Sequence, residues 1–221
     1  MAVTSDHELV LLDKEGKEEK RIQFASVLMS SCMTKNGQIA VFGSDNLDKV
    51  EVAVIDPKKG ETVTKMLINA PFLNGGMVQT GFGEYDFFVK KDSGIYGYKI
   101  DEKNEYMICD FNASVINGTE VISCLIPDSE HFLCMGYDST AERFNLSLYN
   151  KADPSEEEVE TLTVATLSPS YELQRDVTDF NRMHPDIRIS LVDYSEDEDS
   201  VAKFSADIGA GKIPDIIDVT G

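Results

Sequence analysis

The run Gln38-Ile-Ala-Val-Phe-Gly43 returns as Glu84-Tyr-Asp-Phe-Phe-Val89 and again as Glu130-His-Phe-Leu-Cys-Met135, about 46 residues apart each time. The runs are rich in apolar residues, and each follows a short polar or glycine-containing turn. Runs bounded in this way predict β-strands. A period in the forties predicts an array of similar structural units.

A second family of similar runs recurs along the same region. Its members are Leu9-Val-Leu-Leu-Asp13, Val52-Ala-Val-Ile-Asp56, Gly97-Tyr-Lys-Ile-Asp101 and Leu146-Ser-Leu-Tyr-Asn150. Most of them lead into turns that contain Lys, Gly or Asn, which suit tight hairpins. Because residues 1–160 show no convincing helical period, we expect strands throughout this region.

About four strands per unit is the pattern of β-propeller blades. The expected units are a half-unit and three fuller ones, at about 7–24, 25–68, 72–111 and 114–150. We therefore predict a domain over 1–158 with about 3.5 propeller-like blades. About 3.5 blades indicate a truncated ring, an open arc, or a ring that is closed by strands from elsewhere. An irregular β-sandwich of short strands is the alternative.

The polar run 151–158 predicts a linker, and the periodicity changes after it. Residues 159–221 predict a β-α-β-α-β segment with a parallel sheet. The first helix is expected to start at Ser168-Pro169 and to end near His184. The second helix is expected to begin within the acidic run 193–199. Its buried face would hold Val201, Phe204 and Ile208, and a third strand would follow at 215–219.

Composition excludes several classes of function. The formal net charge of −20 disfavours binding to nucleic acid or to anionic membranes. No apolar run approaches the ~18–20 residues of a membrane span, and no signal-peptide pattern is visible. The four cysteines and three histidines do not have zinc-site spacing. An even number of cysteines permits disulfides, but small buried core residues are the favoured interpretation because all four lie in strand-like runs.

Three motifs in the last 60 residues resemble those of family 1 extracellular solute-binding proteins, which capture ligands for ABC importers. They are Phe180-Asn181 with Pro185-Asp186-Ile187, then Asp193-Tyr194, and Gly211-Lys-Ile-Pro-Asp-Ile-Ile217. The resemblance implies the truncated start of a two-lobed binding domain, preceded by a propeller-like extension. It further implies a carbohydrate or similar solute as ligand, an ABC permease as partner, and an extracellular, cell-surface lipoprotein. Since most of the domain is missing, we expect this chain alone not to bind.

By the same resemblance, the loops after the first and third strands would face the ligand. The residues concerned are Ser168, Pro169, Tyr171, Thr220 and Gly221. A three-stranded sheet leaves edges unpaired, so we expect a homodimer, a domain-swapped oligomer or docking of the sheet on the β region. No cofactor or metal is expected.

Two other functions compete with transport. A β-repeat scaffold would present a surface to another protein and have no small-molecule ligand. An enzyme is disfavoured, because the sequence shows no activated-serine turn, phosphate loop, metal-ligand set or convincing acid–base pair.

Overall fold

The computed structural model is mainly β, with a small α/β part, which confirms the predicted fold class. It describes residues 2–5, 7–44, 49–68, 77–138, 141–151, 159–195 and 199–218. In this described part, no helix has the length and apolar character needed to cross a membrane.

The chain forms two compact units. The first contains residues 1–91, 95–109 and 122–150, and the second contains residues 92–94, 110–121 and 151–221. The predicted domain division into 1–158 and 159–221 stays a prediction.

Antiparallel sheets account for the β region. Its strands are β1 (Ala2–Ser5), β2 (Glu8–Leu12), β3 (Glu18–Gln23), β4 (Val27–Met33), β5 (Ile39–Ser44), β6 (Val50–Asp56), β7 (Glu61–Ile68), β8 (Val78–Thr80), β9 (Phe87–Lys90), β10 (Gly94–Lys99), β11 (Asn104–Asp110), β12 (Val121–Leu125), β13 (His131–Asp138) and β14 (Arg143–Asn150). They form the sheets β1-β2-β3, β4-β5-β6-β7, β8-β9-β10-β11 and β12-β13-β14. The last three sheets lie within the expected units 25–68, 72–111 and 114–150, and the first sheet adds β1 to the expected half-unit 7–24.

Side chains from successive sheets share the core of the first unit. Leu9 and Leu11 of β2 pack with a cluster that includes Ile39 and Ile55 of the next sheet. The other side of that sheet, with Phe42, packs with β9 and β10. Alternate residues of a strand face opposite sides of its sheet, so a sheet between two neighbours must be apolar on both sides. Strands β5 and β6 meet this requirement and are almost wholly buried.

The second unit contains a parallel sheet. Its elements are β15 (Glu160–Thr166), α1 (Tyr171–Met183), β16 (Ile187–Asp193), α2 (Ser200–Gly209) and β17 (Ile216–Asp218), with β15 between β16 and β17. Both pairings with β15 are parallel. The buried Asn181 side chain of α1 donates to the backbone oxygen of Ile189 at 2.9 Å and accepts from its N–H at 2.7 Å. This pair of hydrogen bonds fixes α1 to β16.

Two details of the predicted helices are wrong. The first helix begins at Tyr171, and its capping residue is Ser170, whose hydroxyl accepts from the N–H of Leu173 at 3.1 Å. Ser168 and Pro169 therefore precede the helix and do not cap it. In α2, Val201 is 58% exposed because this helix packs only lightly and has no buried residue.

Candidate functional site

The sheet β12-β13-β14 has an exposed apolar side. Strands β13 and β14 form an antiparallel ladder of eight residue pairs without a register shift, from His131 opposite Asn150 to Asp138 opposite Arg143. Side chains of directly opposite residues lie on the same side of a sheet. Alternate pairs therefore build one continuous surface, here named the β13–β14 face, from Leu133, Met135, Tyr137, Phe144, Leu146 and Leu148.

None of the six side chains of the β13–β14 face is charged, although the chain has a net charge of −20. Phe144, Leu146 and Leu148 are 68%, 67% and 63% exposed. The rings of Tyr137 and Phe144 contact each other across the strands, with centroids 5.1 Å apart. Contiguous exposed apolar surface of this kind is uncommon on soluble proteins and typically marks an interaction site.

The opposite side of the same sheet is better covered. Cys134 of β13 is only 2% exposed, and Gly136 is also buried. Phe132 stacks on Tyr149 across the strands, with ring centroids 4.9 Å apart. The sheet therefore has one side that belongs to the core of the first unit and one side that is left open.

Equivalent positions in other repeats are buried. Leu146 corresponds to Leu9 in β2 and to Val52 in β6, and both of these side chains are 0% exposed. Leu148 corresponds to Leu11, which is 5% exposed. In those repeats a neighbouring sheet covers the position. The apolar character of β14 is thus the repeat's usual pattern, found here on a sheet whose outer side has no described neighbour.

The first sheet of the series ends differently. Since Arg21 of β3 lies opposite Val10 and not opposite the inward-facing Leu9, it lies on the outer side of the sheet. Arg21 forms ion pairs there with Glu8 and Glu18. Polar outer faces are typical of the terminal units that end a repeat array and keep it soluble. The series of sheets is therefore capped at β1-β2-β3 and uncapped at β12-β13-β14.

Strand β14 is also the edge of its sheet, as far as the described residues show. Natural edge strands are usually blunted by lysines, prolines or bulges. The edge strand β7 carries Lys65, and its pairing with β6 has a register shift at Val54/Ile55. Within β14, in contrast, the only charged residue is Arg143 at its start, and the β13–β14 ladder is regular. Alternate backbone groups of β14 therefore point away from β13, towards an edge where no described strand pairs.

The predicted ligand residues lie in the second unit. Ser168 is exposed, and its N–H is 3.3 Å from the hydroxyl of Thr166. The Tyr171 hydroxyl donates to a Glu120 carboxylate oxygen at 3.3 Å. Pro169, which lies between Ser168 and Tyr171 in the sequence, is half-buried. The ligand role of these three stays a prediction, and Thr220 and Gly221 lie outside the described residues.

The hydrogen bonds of the second unit explain the solute-binding motifs in structural terms. The Asn181 amide is occupied by the backbone of β16. Asp215 accepts from the N–H and from the hydroxyl of Thr163 at 2.7 and 2.8 Å, which joins the start of β17 to β15. Both side chains stabilise the α/β sheet itself. Among the described residues, no group of three or more His, Cys, Asp and Glu side chains is placed to hold a metal ion.

Comparison with known proteins gives low similarities. No family model matches the chain, and no curated protein does. BamB from Moraxella catarrhalis has 14% identity and a TM-score of 0.43, over 62% of this chain and 40% of that one. The Pan2 WD40 domain of Neurospora crassa has 14% identity and a TM-score of 0.43, over 67% and 45%. A protein of unknown function from Bacteroides caccae has 12% identity and a TM-score of 0.37, over 72% and 59%.

This chain therefore spans less than two thirds of each of these structures. The solute-binding assignment is wrong: no family model and no curated protein supports it. The ABC permease and sugar ligand inferred from it are wrong for the same reason. Asn181 and Asp215, which belong to the motifs that suggested transport, form hydrogen bonds that hold the α/β sheet together. The extracellular location, which no finding tests, stays a prediction.

Sequence reasoning missed the β13–β14 face. The alternation of Phe144, Leu146 and Leu148 correctly predicts a strand, but it does not reveal whether a neighbour covers that strand. The available signal was the absence of a fourth strand-like run in the unit 114–150, next to an apolar third run.

Proposed function

We propose that this chain is a protein-interaction scaffold, and that the β13–β14 face with the open edge of β14 receives an extended apolar segment of another protein. The observation that carries the proposal is the contrast between Leu146, which is 67% exposed, and its repeat equivalents Leu9 and Val52, which are fully buried. On this proposal the chain is a binding protein and not an enzyme.

The number of strands supports an added strand as the occupant. Two of the repeated sheets have four strands, whereas β12-β13-β14 has three in the described residues. The missing position is the one next to β14. A segment that pairs with β14 would satisfy its outward N–H and C=O groups and could lay alternate apolar side chains over the face. Strand addition of this kind is a known mode of peptide recognition.

The available area argues against a second copy as the occupant. Two strands of eight residues, at ~4.8 Å spacing between strands and ~3.3 Å rise per residue, give the β13–β14 face an area of roughly 250 Å². Stable interfaces bury about 800 Å² on each partner. Two copies meeting face to face would therefore bury too little for a stable dimer. A partner strand gains main-chain hydrogen bonds in addition to the apolar contact, so it needs less area.

Charge also disfavours self-association. Each copy carries a net charge of −20, so two copies repel each other at low salt. The first sheet offers a less suitable surface, because its outer side carries the ion-paired Arg21, Glu8 and Glu18 next to Val10. A partner segment that is apolar on one side and neutral or basic elsewhere fits this surface best.

The test is a selection of displayed random peptides on the purified chain, followed by measurement of peptide affinities for two lysine variants. Leu146→Lys places a charge in the centre of the β13–β14 face. Leu67→Lys is the matched control, because Leu67 is 66% exposed on the edge strand β7 of another sheet. Thermal unfolding of both variants checks that they remain folded.

We expect the enriched peptides to alternate apolar and polar residues. Their dissociation constants should rise at least about tenfold for Leu146→Lys, since burying a leucine contributes ~1.5–3 kcal/mol and tenfold is ~1.4 kcal/mol. Leu67→Lys should leave them within about twofold. Equal binding to both variants, or no enrichment, would refute the proposal. A dimer of the wild type that Leu146→Lys abolishes would assign the face to a second copy instead.

A further inference from the structure

Two cysteines lie next to each other inside the sheet that carries the β13–β14 face. Cys124 belongs to β12 and Cys134 to β13, which are neighbours in the sheet. Their sulfur atoms are 2.9 Å apart. Cys134 is 2% exposed, whereas Cys124 is half-buried. Both are free thiols in the structure.

We propose that Cys124 and Cys134 are a covalent modification site, where a small-molecule disulfide of the glutathione type oxidises the two thiols to a cross-strand disulfide that joins β12 to β13. The inference is independent of the proposed scaffold function.

The backbone geometry suits this bond. Strand β12 ends at Leu125 and β13 begins at His131, so the connection is too short for a crossover and the strands are antiparallel. Opposite residues of antiparallel strands have Cα atoms ~4.5–5.5 Å apart. Disulfides require a Cα separation of ~4.4–6.8 Å. The sulfur atoms of Cys124 and Cys134 are already 2.9 Å apart, so bond formation requires only a short approach of the two side chains.

The other two cysteines are not placed in the same way. Cys32 belongs to β4 and Cys109 to β11, in two other sheets. Burial raises the pKa of the Cys32 thiol to about 12, which disfavours the thiolate that attacks disulfides. Because Cys32 and Cys109 lie in different sheets from each other and from β12 and β13, Cys124 and Cys134 are the pair expected to form an intramolecular disulfide.

Exposure determines the order of the two steps. The Cys124 thiolate attacks one sulfur of the oxidised reagent, breaks its S–S bond and releases one reduced thiol, which leaves a mixed disulfide on Cys124. The Cys134 thiolate, whose proton passes to solvent, then attacks the Cys124 sulfur and releases the second reduced thiol. Two electrons pass from the two cysteines to the reagent, which is reduced to two thiols.

Cys134 is suited to the second step. The hydrogen bond with Cys124, followed by burial, raises the pKa of the Cys134 thiol, while the positive charge of Lys90 lowers it. Forming the mixed disulfide converts the Cys124 thiol and so removes the largest cause of that increase. The Cys134 thiolate should then form more readily than it does in the fully reduced pair, while burial continues to raise its pKa.

The experiment treats the full chain with oxidised glutathione, blocks remaining thiols with an alkylating agent under denaturing conditions, and measures the intact mass and a non-reducing peptide map. We expect loss of two hydrogens, two alkylated cysteines (Cys32 and Cys109), and a cross-linked peptide pair containing Cys124 and Cys134. The disulfide constrains the unfolded chain, and because the closed loop is short the gain in stability is moderate. The thermal midpoint should therefore rise by about 5–10 °C and fall again with reductant.

Two variants make the result specific. Cys134→Ser should stop at the first step and retain glutathione on Cys124. Cys109→Ser, the matched control at another half-buried cysteine, should form the Cys124–Cys134 bond as the wild type does. The inference is overturned if all four wild-type thiols remain alkylatable, if a different pair links, or if glutathione stays on wild-type Cys124.

Discussion

The same substitution at two equivalent repeat positions should have very different effects on stability. Leu9 and Leu146 occupy matching places in β2 and β14, but Leu9 is 0% exposed and Leu146 is 67% exposed. Leu9→Ala removes a leucine packed in the cluster with Ile39 and Ile55 and leaves a cavity. A substitution of this kind costs ~2–5 kcal/mol of the free energy of unfolding.

The expected cost of Leu146→Ala follows from its exposure. Burying a leucine side chain completely contributes ~1.5–3 kcal/mol, and Leu146 is about one third covered, so the loss should be ~0.5–1 kcal/mol. The two variants should therefore differ by at least ~1 kcal/mol. For a chain of this size, this corresponds to roughly 2–4 °C in the thermal midpoint.

Urea unfolding at neutral pH measures the difference. The chain has eight tyrosines and no tryptophan, so tyrosine fluorescence and circular dichroism are the suitable probes. Each variant is measured at two protein concentrations. An equal loss of stability for Leu9→Ala and Leu146→Ala would refute the reasoning, because it would mean that Leu146 is covered in solution. A concentration-dependent midpoint would identify a second copy as the cover.

Two further predictions concern the second unit. Asn181→Ala should lower the free energy of unfolding of the α/β unit by ~2–3 kcal/mol, because the N–H and C=O of Ile189 lose their partner in a partly buried site; a urea midpoint close to that of the wild type would contradict this. The N–H of Thr163 donates to Asp215 and holds the pKa of that carboxyl below its ordinary value of 3.8. Asp215 should therefore stabilise the folded state fully above about pH 5, and this contribution should fade as the pH falls below about 4 through the lowered pKa. Asp215→Asn should make stability, measured by circular dichroism, depend less on pH below about 4. An unchanged dependence on pH in this range would exclude the stabilising role of Asp215.

Most of the β architecture was predictable from the sequence because its signals are local. The apolar runs at a spacing of about 46 residues place strands and turns, and the units expected at 25–68 and 72–111 are the four-stranded sheets of the structure. The expected unit 114–150 is a three-stranded sheet, whereas the expected half-unit 7–24 contains β2 and β3, and its sheet also includes β1 before it. The helix ends were less accurate, because Ser168 and Ser170 are both capable caps and only the backbone geometry selects Ser170.

Function was harder to predict because it depends on what lies next to a residue. Asn181 and Asp215 resembled parts of a ligand-binding family, yet their polar atoms are occupied by Ile189 and Thr163. Leu146 looked like any strand residue of the repeat. Only the structure shows that it lacks the neighbouring sheet that covers Leu9, and this difference is the basis of the proposed function.

Hydrogen–deuterium exchange along β14, with and without the tightest peptide from the selection, tests the central claim most directly. In the free chain, alternate amides of β14 should exchange faster than those of β6, which is paired on both sides by β5 and β7. With peptide bound, protection should appear along residues 143–150 and leave β7, the edge of another sheet, unchanged. Protection of β14 in the free chain, or peptide-induced protection at β7 instead, would contradict the account.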